Sequence, residues 1–244
     1  MSCLIESVLG RRVWDSRGRP TVEVELRSRD GLLGRCIAPA GASRGSNEAI
    51  DLRDPGPADG GWGVQQAVAN VNTLIRDAIM GLDATDQATL DRTLLELDGT
   101  ANKSRLGGNA TVATSIAALN LAAAHARQPL WRYLSQGRTV RMPLPQIQIL
   151  AGGAHAGGRI DVQDLMVMPI GARNFDVALC WVANVYRAAG DLLAKKNRLA
   201  GVADEGGWWP MFDSNEEAIQ ALTQAIEHAG YSRDQVAIAL DMAA

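Results

Sequence analysis

The hydrophobic period of this sequence changes twice, and that succession limits the folds open to it. Thr21-Val22-Glu23-Val24-Glu25-Leu26 alternates strictly, which puts Val22, Val24 and Leu26 on one face of a strand and the acids on the other. Asp30-Gly31 is a turn signal, because glycine accepts a positive φ cheaply, so Leu32 to Ile37 is expected to return antiparallel. Beyond a loop rich in Gly, Pro and Asp, Val64, Val68, Val71, Leu74, Ile75 and Ile79 recur at helical spacing. Asn109 is placed to cap the Ala-rich helix that follows. Strands followed by helices predict an α+β unit that ends near Arg141.

The second change replaces long periodic segments with short unbroken apolar runs. Leu144 to Leu150 and Leu165 to Met168 suit strands buried on both faces, and Phe175 to Lys196 reads as a helix. Ser214 and Glu217 form a capping box, and Gly230 stands where a left-handed residue ends the helix. Val236 to Leu240 is then an apolar strand closed by the carboxylate of Asp241. Strand, helix, strand predicts parallel βα units, and acids at strand C-termini are the habit of a (β/α)₈ barrel. A whole barrel takes about 250 residues and only about 100 follow Arg141, so the barrel is expected to be incomplete.

Composition narrows the class. With 47% hydrophobic residues and a net charge of −3, the chain has enough apolar surface to fold and no general field for nucleic acid or anionic lipid. The N-terminus meets charge within its first six residues, and the most apolar stretch, Ala110 to Ala126, is short for a bilayer. Neither a signal peptide nor a membrane span is expected. Cys3, Cys36 and Cys180 lie far apart with no C-x-x-C, so they read as buried small hydrophobes in a reducing, cytoplasmic setting.

Four stretches combine glycine with ionisable groups. The first is the loop from Pro39 to Gly45, with Ser43 and Arg44; by itself it is better explained as an ordinary surface loop. The second surrounds His155 with glycines, which suits a site better than a core; His125 reads as a core histidine and His228 as a solvated one. Gln163-Asp164 follows at the head of a strand. The third is Asp204-Glu205-Gly206-Gly207-Trp208-Trp209, either an exposed acidic turn or a carboxyl partly desolvated by rings and suited to general acid work. The last is Asp241, a carboxylate ending a buried strand, which is costly unless paired or metal-bound; oxygen ligands of that kind suit Mg²⁺.

Taken together the ordered motifs resemble enolase. They include Asp15-Ser16-Arg17-Gly18, Gly41-Ala42-Ser43, Asn102-Lys103-Ser104-Arg105-Leu106-Gly107, Gly152-Gly153-Ala154-His155-Ala156, Asp204-Glu205-Gly206-Gly207 and Leu240-Asp241. The resemblance implies an α+β lid domain (residues 1–141) followed by the first part of an enolase-type α/β, TIM-like barrel (142–244), in a family that is normally dimeric. It implies dehydration of 2-phosphoglycerate, a small phosphorylated acid, to phosphoenolpyruvate. Glu205 matches the acid that protonates the leaving hydroxyl. His155, Gln163, Asp164, Ser43 and Arg44 match substrate-side positions, and Asp241 matches a carboxylate that holds Mg²⁺. Cations are needed in such chemistry because loss of a proton beside a carboxylate builds a double negative charge.

The sequence also departs from the family pattern. Ala40 stands where the family has a serine that reaches a second Mg²⁺, and Asp164 stands where it has the longer Glu. Trp208-Trp209 replaces a Phe-Ala-like pair, which is expected to enlarge the wall beside Glu205. The proton-abstracting lysine and the remaining metal carboxylates have no match within these 244 residues, so this chain alone is expected not to dehydrate 2-phosphoglycerate. Two alternatives follow: an enolase-like paralog acting on a phosphonate or carboxylated analogue, and a non-catalytic binding module.

Overall fold

The computed structural model describes residues 2–38, 40–41 and 44–242, in two compact units, Met1–Val140 and Arg141–Ala244. Unit 1 opens with a three-stranded antiparallel sheet of β1 (Ile5–Trp14), β2 (Pro20–Ser28) and β3 (Leu33–Ile37) in that order. The alternation in β2 sorts as expected. Val22, Val24 and Leu26 are fully buried, and Glu23 and Glu25 on the other face are bridged by Arg11, 2.9 and 3.0 Å away. Gly31 takes the positive φ of the β2–β3 turn.

Helices cover the apolar face of that sheet. α1 (Gln65–Asn70) runs through a π-helical stretch (Val71–Ile75) into α2 (Arg76–Ile79), so the apolar stripe is one helix with an internal bulge. α3 (Gln87–Asp98), α4 (Gly108–His125) and α5 (Leu130–Ser135) follow. The cap of α4 differs from expectation. Gly107 takes the capping position, and Asn109 lies inside the helix, where both ends of its amide hold the backbone of Leu52. His125 is half-buried rather than packed in a core, Cys36 is half-buried, and Cys180 is exposed; of the three cysteines Cys3 alone is buried.

Unit 2 contains β4 (Ile147–Ala151), β5 (Asp164–Met168), α6 (Phe175–Lys195), β6 (Leu199–Val202), β7 (Trp208–Pro210), α7 (Asn215–His228) and β8 (Ala237–Asp241). Its sheet has the order β6-β7-β4-β5-β8 and, among the described residues, is open, with β6 and β8 at its edges. Leu144 precedes the first strand and is exposed. The expectation of purely parallel units fails. β4 and β5, β5 and β8, and β6 and β7 pair antiparallel, and only β4 and β7 run parallel. The reason is the connection: residues 152–163 hold a 3₁₀ turn (Gly153–Ala156) and no crossover helix, so β5 can only return antiparallel beside β4.

α6 and α7 pack on this sheet over a core that includes Ile149, Leu150, Leu165, Val185 and Leu222. Ser214 caps α7 by accepting from Glu217 N–H at 3.1 Å, Glu217 reaches back to the N–H of Asp213, and Gly230 follows the helix at φ +86°. No helix among the described residues is long and apolar enough to cross a membrane.

Candidate functional site

The C-terminal ends of β4 and β8 and the N-terminal end of β5 meet at one rim of the unit 2 sheet, because Ala151 pairs with Asp164 and Asp164 with Asp241. Residues directly opposite in an antiparallel pair project to the same face, so Asp164 and Asp241 point the same way. The β4–β5 connection folds tightly over this rim. The N–H of Gly152 donates to Gln163 O at 2.7 Å, and a Cβ at Gly152 would sit 2.0 Å from Val162 O, so no side chain fits there. The 3₁₀ turn that follows carries His155 inward.

His155 has 1% of its side chain exposed, and its Nδ1 lies 2.8 Å from Asp204 Oδ1. A carboxylate only accepts, so Nδ1 carries a proton and the ring is held in one orientation. Nε2 is buried, makes no hydrogen bond and lies 3.8 Å from Glu205 Oε1. One ligand atom each of His155, Asp164 and Glu205 lies within 4.8 Å of the others, a group that could hold a metal ion. Asp164 is 8% exposed and accepts from two amides, Nε2 of Gln148 and Nε2 of Gln163, the latter at 3.3 Å. Gln163 also binds the rim, its backbone N–H donating to Asp241 O at 2.9 Å.

Glu205 is placed by β7 and the turn before it. Its side chain is 40% exposed, between the two settings that the sequence leaves open, an exposed acidic turn and a partly desolvated carboxyl. Trp208 stacks on Tyr186 of α6 with centroids 4.6 Å apart, and its Nε1 donates to Tyr186 O at 2.8 Å. The Tyr186 hydroxyl donates in turn to Gly206 O at 2.9 Å, and burial pushes that phenol up from its ordinary value. The residue after Glu205 is therefore tied to α6. Trp209 lies over Gly157, whose Cβ would come 3.3 Å from the indole.

The structure thus gathers His155, Gln163, Asp164 and Glu205 at the rim, with Asp241 across the register from Asp164. Of the two loop residues, Arg44 is exposed in unit 1, and Ser43 lies outside the described residues. Two contributors had no prominent sequence signal. Gln148 looks like an ordinary polar residue in a strand, and Asp204 is the first of two adjacent acids. The donor set divides by chemistry. Asp164 and Asp241 offer the hard oxygens that Mg²⁺ takes, so the rim fits that ion in kind, whereas an imidazole nitrogen suits it poorly.

Comparison with known families gives two matches. The family model for the enolase N-terminal domain matches residues 5–134, and that for the enolase C-terminal TIM barrel domain matches residues 139–244. The two matches take in nearly the whole sequence, in the order in which the two units occur, and the chain belongs to the enolase family of lyases.

Proposed function

We propose that this protein is an enolase-type lyase whose reaction is the Mg²⁺-dependent dehydration of 2-phosphoglycerate to phosphoenolpyruvate. These 244 residues do not complete that reaction alone, since the proton-abstracting lysine and the remaining metal carboxylates have no match among them. The observation that carries this reading is the convergence of Glu205, Asp164 and His155 within 4.8 Å at the rim that also ends in Asp241. Glu205 acts as the acid that delivers a proton to the departing β-hydroxyl. Its half-exposed carboxyl can exchange that proton with solvent between turnovers. His155, oriented by Asp204, and Asp164, held by two amides, line the same face and position the hydroxyl. Asp241 would hold the Mg²⁺, and that ion would supply the neutralisation of charge that builds on the substrate carboxylate. Arg44 and Ser43 belong to the loop that closes over substrate. On this reading the protein works in the cytoplasm, and complete members of the family are homodimers.

The phosphonate alternative drew part of its support from a larger wall beside Glu205. The Trp208 indole packs on Tyr186, whose hydroxyl holds the carbonyl of Gly206 next to the acid. The test is turnover of 2-phosphoglycerate with Mg²⁺ by protein expressed from its complete reading frame, followed by ³¹P NMR. Formation of phosphoenolpyruvate, abolished by Glu205→Gln, is expected. Absence of turnover with intact binding of 2-phosphoglycerate would favour a binding module.

A further inference from the structure

We infer that Gln148 is a positioning residue that sets the spacing between the loop carrying Glu205 and the carboxylate of Asp164. The backbone ladder cannot set it, because β4 and β7 pair through one register position, Leu150 opposite Trp208. Gln148 supplies a further link. Its Oε1 accepts from the N–H of Gly207 at 3.0 Å, and its Nε2 donates to Asp164 Oδ1. The partners fix the orientation of the amide. A backbone N–H can only donate and an ionised carboxylate can only accept, so Oε1 must face Gly207 and Nε2 must face Asp164.

Shape agrees with this assignment. A Cβ on Gly207 would lie 2.4 Å from Gln148 Oε1, so the approach exists only because residue 207 is glycine. Glu205 then stands two residues from an anchored amide, while Tyr186 holds the carbonyl of Gly206 from the other side. A side-chain amide carries a donor and an acceptor on the same terminal carbon without charge, as this bridge requires. The catalytic consequence rests on the reading of Glu205 and Asp164 given above; the bridge itself does not.

The experiment uses two variants. Gln148→Met keeps length and removes both arms, whereas Gln148→Glu keeps an oxygen for Gly207 and removes the donor to Asp164. Amide hydrogen exchange at Gly207 should rise at least tenfold in Gln148→Met and stay protected in Gln148→Glu. In protein expressed from the complete reading frame, kcat with 2-phosphoglycerate should fall about 10- to 100-fold in both, with KM changed far less, since misplacement by about 1 Å costs rate rather than binding. Unchanged exchange at Gly207 in Gln148→Met overturns the inference, and so does unaltered kcat in both variants of an active enzyme. If Gln148→Met does not fold, Gln148→Glu decides: a protected Gly207 with lowered kcat supports the role, and wild-type kcat overturns it. If the wild type turns over no 2-phosphoglycerate but Gly207 responds as stated, the enolase reading fails and the positioning of the loop stands.

Discussion

Asp164 and Asp241 face each other directly across the antiparallel β5–β8 pair. Like charges in that relation destabilise a sheet, and a divalent cation between such groups removes the repulsion. Mg²⁺ should therefore raise the thermal midpoint of the wild-type protein. At 100 times its dissociation constant it adds about 2.7 kcal/mol. Asp241→Asn should lose most of that gain while remaining folded without metal. Calorimetric scans with and without Mg²⁺ check this; an equal Mg²⁺ response in the variant would remove Asp241 from the metal site.

The stack of Trp208 on Tyr186 depends on a helix residue with no side chain. A Cβ at Gly190 would come 2.6 Å from the indole, so α6 is notched where Trp208 lies. Gly190→Ala should destabilise by about 1–3 kcal/mol through overpacking, less the roughly 1 kcal/mol by which alanine favours a helix. Trp208→Phe gives up the hydrogen bond to Tyr186 O but makes room. The double variant should thus be more stable than the sum of the single losses. Urea unfolding of all four proteins measures that coupling.

Asp98 ends α3 with 1% of its surface exposed and accepts from the N–H groups of Thr100 (3.0 Å) and Leu106 (2.7 Å). Burial pushes this carboxyl up, but the hydrogen bonds from Thr100 and Leu106 outweigh it and hold it below the ordinary range. A carboxyl lowered on folding contributes stability that is present above its unfolded value, about 3.9, and is lost as pH falls through its folded value. Asp98→Asn should cost about 1–3 kcal/mol at neutral pH. The gap between the two proteins should narrow as pH drops below about 4. Denaturation at a series of pH values tests it; a constant gap would contradict the assignment.

What could be read from the sequence divides by range. The period-2 pattern of Val22, Val24 and Leu26 and the cap at Ser214 depend on neighbours within a few residues, and both appear as expected. The carboxylate at the end of β8 was legible because a strand's end shows in its apolar run. Asn109 and Gln148 were not, for one reason: each amide serves backbone or side chains far away in sequence, Leu52 for the first, Asp164 and Gly207 for the second. Local pattern assigns an asparagine before a helix to a cap, since that is its commonest short-range use. Strand direction failed similarly, because it turns on whether a connection holds a helix, and glycine-rich 152–163 holds only a 3₁₀ turn. The setting of Glu205 depends on a turn tied to α6 through Tyr186 and to β4 through Gln148, contacts that local pattern does not reveal.

The orientation of His155 offers the last test. Its Nδ1 faces Asp204 at 2.8 Å, which fixes the tautomer and leaves Nε2 directed toward Glu205. Nitrogen NMR of the neutral ring should therefore find the proton on Nδ1, whereas free imidazole side chains hold it mainly on Nε2. Asp204→Asn retains an oxygen able to accept from Nδ1 and should preserve that tautomer. Asp204→Ala removes the acceptor, so the ring should turn toward the common form and Nε2 should no longer be offered to the cluster. If His155 positions the departing hydroxyl, kcat should fall about 10- to 100-fold in the alanine variant and less in the asparagine one. A tautomer unchanged in Asp204→Ala would mean that burial alone, not the carboxylate, orients the ring.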